Sequence, residues 1–173
     1  MLIAHAPTGL LMAAVLIKLK PETVSWQRWY LMGAVMGLLP DLDMLWFYFV
    51  DHKQFHHHVY VPHWPIVWLS IAVVSVGWSR CCHSKLAAYA VLLGLVGMSH
   101  MVLDSVVGDI GWLKPWHDGL YAMFAVSNRY SPWQLNFIIH WSFAMGLVLL
   151  VLLVWAVWQW RRKRLKSITT MRA

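Results

Sequence analysis

Acids and histidines in this chain sit where they cost the most. Only seven of its 173 residues are acidic. Three of them, Asp41, Asp43 and Asp104, lie inside hydrophobic runs, as does His100. The runs read Leu38-Leu39-Pro40-Asp41-Leu42-Asp43-Met44-Leu45-Trp46 and Gly97-Met98-Ser99-His100-Met101-Val102-Leu103-Asp104. Ionisable groups in apolar surroundings need a partner or a task. Carboxylates and neutral imidazoles can share a divalent cation, which offsets the cost of burying them. The pattern therefore points to a metal site.

His100 and Asp104 are four residues apart, so they share one helix face and can bind one ion together. A buried His–Asp hydrogen bond that only packs helices is the plainer explanation. Metal is favoured over it because both residues stand in an apolar run. Asp41 and Asp43 would point to different sides of a regular helix. Pro40 removes a backbone hydrogen bond and predicts a break at Leu39–Pro40 that aims both carboxylates at one pocket. Helix capping would explain one of these acids but not both.

Five more histidines, His52, His56, His57, His58 and His63, lie within twelve residues of chain. Such a cluster suggests metal binding, although not all five can be ligands. His5, in His5-Ala6-Pro7-Thr8-Gly9, would by itself be an interfacial histidine. His140, four residues after Asn136, reads as a packing or supporting residue. His117, Asp118 and Asp109 are placed to help bind substrate. The chain carries no nucleophile elbow, no phosphate-cradling glycine loop and no Cys–His pair. Water activated by a metal is then the expected nucleophile. Histidine and carboxylate without thiolate suit zinc or manganese.

Composition sets these residues in a membrane protein. Hydrophobic residues make up 60% of the chain, charged residues only 12%, and there are 13 tryptophans. A soluble domain of this length needs more polar residues on its surface. The net charge of +7 gathers at segment ends and in Arg161-Arg162-Lys163-Arg164-Leu165-Lys166, which reads as a cytoplasmic membrane flank and not as a nucleic-acid surface. The adjacent pair Cys81 and Cys82 cannot build a disulfide framework. Hydropathy predicts an all-α polytopic membrane protein of about five transmembrane helices, near Leu2–Leu19, Trp29–Val50, Trp64–Ser79, Lys85–Val107 and Trp133–Trp160. The positive-inside rule puts the N-terminus outside and the C-terminus in the cytoplasm. Residues 1–160 then form one domain and 161–173 a basic tail. In this topology His5, Asp41, Asp43, His58, His63, His100 and Asp104 all fall at one depth near the outer face. Gly33, Gly37, Gly94 and Gly97 offer small faces for close helix packing.

The order His5-x-x-x-Gly9, then Leu39-Pro40-Asp41-x-Asp43, then His58 and His63, then His100-x-x-x-Asp104 followed by Gly108, Gly111 and Pro115 resembles the membrane-bound metal-dependent hydrolases. These are small bacterial inner-membrane proteins, the LexA-regulated inner-membrane type among them. The resemblance covers roughly residues 1 to 116. That family is distantly similar to zinc-dependent phospholipase C and P1 nuclease. The chain departs from the family at Pro62-His63-Trp64, where Thr-His-Ser is usual, and at Val59, where a basic residue often follows the histidine. The choice between His57 and His58 stays open on that account.

The resemblance implies that His5, Asp41, Asp43, His58, His63, His100 and Asp104 hold about two or three divalent ions, zinc before manganese. Asp43 or Asp41 would double as general base, and His57, His140, Asn136, Asp109 and His117 would stand behind the ligands. The expected reaction is hydrolysis of a lipid-linked substrate at the bacterial inner membrane, phosphoester before acyl ester or amide, with the site facing outside. A ceramidase-like amide hydrolase and a divalent-metal transporter or sensor are the alternatives. The substrate or partner is expected to be a membrane lipid, not nucleic acid.

Overall fold

The computed structural model describes residues 2–82, 84–127, 129–132, 134–148, 150–151 and 153–155. The predicted basic tail, the end of the fifth predicted span, Trp133 and His83 lie outside the described residues. Among the described residues the helices run in the order α1 (Leu2–Val15), α2 (Trp26–Leu38), α3 (Asp43–Phe49), α4 (Pro65–Cys81), α5 (Lys85–Asp104) and α6 (Gln134–Ile139), followed by a helix over Trp141–Trp155. Among the described residues the only β pairing is an isolated bridge between Ile110 and Tyr121.

Local chemistry sets the helix starts. Ser25 caps α2 by accepting from the Arg28 N–H at 3.3 Å, and Ser84 caps α5 by accepting from the Ala87 N–H at 3.0 Å. Each satisfies a backbone donor that has no intrahelical partner. Pro65 opens α4 at a position where its missing N–H costs nothing. Helix α4 packs on α5 and α1 on α2, while α5 also touches both α1 and α2. Between them Ala13, Trp29, Met36, Leu92 and Val96 form the apolar core. The Trp29 indole N–H, fully buried, donates to the Ala13 carbonyl at 2.8 Å.

Glycines bring the helices to backbone distance. A Cβ on Gly33 would lie 2.5 Å from the Gly9 carbonyl oxygen, and one on Gly94 would lie 2.5 Å from the Ala72 nitrogen. Gly97 lies under the Trp68 ring, and Gly37 lies against the His5 backbone. Gly77 has nothing within 4 Å of the position a Cβ would take. Gly77→Ala is therefore expected to stabilise the chain by about 0.5–1 kcal/mol through helix propensity alone, read as a raised melting temperature.

The described residues do not form five transmembrane helices. Only Lys85–Asp104, among the described residues, is long and apolar enough to cross a membrane; α2 and α3 would add a second crossing if taken as one broken span. The remaining apolar helices, α1, α4 and Trp141–Trp155, are shorter. The reason is helix length. Hydropathy counted apolar residues without asking how far one unbroken helix runs. Helix α1 has 14 residues and α4 has 17, about 21 and 26 Å at ~1.5 Å per residue, against ~30 Å of hydrocarbon. The predicted second span is bent by 50° at Pro40. The assignment of an outer N-terminus and a cytoplasmic C-terminus rested on five alternating spans and falls with them.

Candidate metal centre

The break at Pro40 builds one wall of the site. Helix α2 stops at Leu38, a 3-10 turn covers Pro40–Leu42, and α3 restarts at Asp43. Neither acid caps a helix with its side chain. Both carboxylates instead face a group of histidines. Helix α1 contributes His5, α5 contributes His100 and Asp104 one turn apart, and two 3-10 turns, His57–Val59 and Val61–His63, supply the rest. A hydrogen-bonded anchor holds the histidine segment: the Tyr60 hydroxyl donates to Asp51 Oδ2 at 2.6 Å, and the Phe55 N–H donates to the same oxygen at 3.0 Å. Donation from Tyr60 holds the Asp51 carboxyl below its ordinary value, and partial burial together with Asp51 pushes the Tyr60 hydroxyl up to about 12.

Six of the seven expected ligands meet in groups that could hold an ion. His5, Asp41, His100 and Asp104 form one group whose ligand atoms lie within 4.8 Å of one another; His58, His63 and Asp104 form a second, and Asp41, His57 and His63 a third. Asp104, Asp41 and His63 each belong to two groups, as ligands shared by neighbouring ions would. His100 Nε2 is 3.0 Å from Asp104 Oδ2 and 3.6 Å from Asp41 Oδ1; His5 Nε2 is 3.1 Å from Asp104 Oδ1. His63 Nε2 is 3.7 Å from both Asp41 Oδ1 and Asp104 Oδ2, and His58 Nε2 is 3.7 Å from Asp104 Oδ2. The His5 and His100 rings stack at 3.7 Å. His63, His100, Asp104 and His5 are at most 2% exposed.

Three imidazoles are held from behind. His100 Nδ1 donates to the Gly37 carbonyl at 2.8 Å, His58 Nδ1 to the Gly108 carbonyl, and His63 Nδ1 to Asp43 Oδ2 at 2.5 Å. A carbonyl can only accept, so Nδ1 carries a proton, and whenever the ring is neutral its Nε2 presents a lone pair. Those lone pairs point at carboxylate oxygens. Acceptor facing acceptor at these distances is repulsive unless a cation or a proton lies between them. His63 Nε2, His100 Nε2, Asp41 Oδ2, Asp43 Oδ1, His57 Nδ1 and His5 Nδ1 are buried and make no hydrogen bond. Buried polar atoms are normally satisfied, and a divalent ion satisfies several of these at once. Burial holds His58 well below its ordinary pKa, in the neutral form a metal requires. Burial also pushes His63 down, but the carboxylates of Asp104 and Asp43 more than reverse this and raise it.

Asp43 stands apart from the other two acids. It belongs to no ligand group and sits behind His63, as carboxylates behind metal-bound histidines do. Between His57 and His58 the sequence left the ligand open, and both enter ligand groups. Asp109 lines a cavity of about 230 Å³ beside His56. The other supporting candidates have local hydrogen-bond partners. Asn136 Oδ1 accepts from the Arg129 and Tyr130 N–H groups, His140 pairs with Ser142 Oγ at 2.9 Å, and exposed His117 accepts from the Gly119 N–H. The carbonyls of Gly37 and Gly108 were invisible to motif reading. Gly108 has a detectable signal only in hindsight: a Cβ there would lie 2.6 Å from His58 Cε1.

Comparison with known proteins finds no family model, no curated protein and no solved structure that matches the chain. The class of the site accordingly rests on its residues: a buried, carboxylate-bridged histidine cluster.

Proposed function

We propose that the chain is a metal-dependent hydrolase that cleaves a lipid-linked substrate, phosphoester by preference, and that its His/Asp cluster binds about two or three divalent ions, zinc before manganese. One observation carries this reading: three histidines fixed at Nδ1 present Nε2 to shared carboxylates. A divalent ion bound there lowers the pKa of water towards ~7 and polarises a phosphoryl oxygen. His5, His58, His63, His100, Asp41 and Asp104 hold the ions, with His57 in the third group. Asp43 orients His63 through Oδ2 and keeps Oδ1 for a proton from the attacking water. Asp41 is the most accessible of the three carboxylates, with 12% of its side chain exposed.

Lipid enters the proposal through the surface. Large apolar side chains are exposed along α2, α3 and α4, among them Leu31, Phe49, Val73 and Val74. Apolar area on this scale marks contact with something other than water, and a membrane setting fits it.

Asp43→Asn separates the two roles given to Asp43. Metal affinity is expected to fall about 10–100-fold as the negative charge behind His63 is lost. Turnover should stay at least about 100-fold down even at saturating zinc, because the proton acceptor is gone. The function itself is tested by zinc-dependent release of product from bis(p-nitrophenyl) phosphate and from phospholipid in mixed micelles. Turnover that chelator abolishes and zinc restores is expected. No turnover on phosphoesters by fully metal-loaded protein would remove the phosphoesterase reading.

A further inference from the structure

We infer that His56, His57 and His58 form a loading site that captures a divalent cation at the surface and passes it to the buried cluster. The inference rests on the metal-centre reading and adds a route to it. The ligand atoms of the three residues lie within 4.8 Å of one another, so the triplet can hold an ion by itself. The rings pack at 4.0 Å for His57–His58, 4.7 Å for His56–His58 and 5.2 Å for His56–His57.

Burial grades along the triplet. His56 is exposed, His57 is half-buried, and His58 is 5% exposed. His56 also lines the cavity of about 230 Å³ that Asp109 and Val107 share, which gives a hydrated ion room to arrive. His57 is the hinge of the route. It belongs to the triplet and also to the group with Asp41 and His63, and its Nδ1 makes no hydrogen bond. His58 likewise belongs to the triplet and to the group with His63 and Asp104. An ion can therefore exchange water for nitrogen ligands stepwise, changing one or two ligands at a time, before it reaches residues no more than 2% exposed. Without such steps it would have to shed its water in one event at a closed site.

The test is the rate of zinc uptake by the metal-stripped full-length protein, followed by stopped-flow with a competing zinc indicator, in wild type, His56→Ala and His56→Asn. His56 accepts a weak hydrogen bond from the His58 N–H at 3.4 Å. Asparagine keeps an acceptor for that bond but is a poor zinc ligand, so it separates ligation from loop geometry. Both variants are expected to load at least about tenfold more slowly, to reach the same number of tightly held ions, and to lose one weakly held equivalent. Uptake within twofold of wild type in both variants, or a wild-type rate restored by His56→Asn, would overturn the loading site and leave the buried centre intact. A wild type that takes up no tight zinc at all would instead overturn the metal centre on which the route depends.

Discussion

Asp104→Asn is expected to strip metal from the chain and abolish turnover while leaving the fold in place. Asp104 is the one carboxylate common to the His5/Asp41/His100 group and to the His58/His63 group. Two ligand sets therefore lose an anion with a single substitution. Its oxygens lie 3.0 Å from His100 Nε2 and 3.1 Å from His5 Nε2. The amide has the same size but no charge, and its NH₂ group presents hydrogens where the ions need lone pairs. Metal affinity should fall by more than the ~10–100-fold typical of losing a supporting partner, and both ion equivalents should go together. Asp104→Ala is the harsher change. It removes both oxygens that face His5 and His100 and empties the space between them, so the asparagine variant is the one to read. Elemental analysis beside circular dichroism checks it: low metal with a native helical spectrum is the expected pair of results.

Gly37→Ala should disable the same centre without touching a ligand. A Cβ at residue 37 would collide with the His5 carbonyl oxygen and lie 3.0 Å from its carbon. The obstacle is backbone, so no side chain can rotate out of the way, and α1 must move off α2. Overpacking commonly costs ~1–3 kcal/mol, and a backbone clash belongs at the upper end. Two ligands feel the shift. His5 travels with α1, and His100 loses the aim of the Gly37 carbonyl that receives its Nδ1–H at 2.8 Å. The expected outcome is a melting temperature lowered by several degrees together with weakened zinc binding. Gly77→Ala, which meets nothing, supplies the contrast in the same assay.

Much of the site was legible because its signals are local. His100 and Asp104 had to share a face by helix geometry. Pro40 had to interrupt the helix ahead of Asp41, and the 50° bend is where the sequence put it. The small faces at Gly33, Gly37, Gly94 and Gly97 do seat neighbouring helices. What was missed is non-local or depends on length. The five-span count failed because apolar composition does not fix how long a helix runs. The division of labour between Asp41 and Asp43 depends on which carboxylate reaches His63, 20 residues away. His57 and His58 are adjacent, so no spacing rule could tell that both would face the cluster. The carbonyls of Gly37 and Gly108 are backbone groups that any residue could offer.

On this reading the buried histidines and carboxylates exist to hold metal. Elemental mass spectrometry of the purified full-length chain, before and after dialysis against zinc, tests it most directly. About two or more tightly held divalent ions per chain are expected, with zinc retained through gel filtration. A folded protein that carries no metal, and still holds none after zinc is offered, would contradict it and leave the His–Asp contacts as helix packing alone.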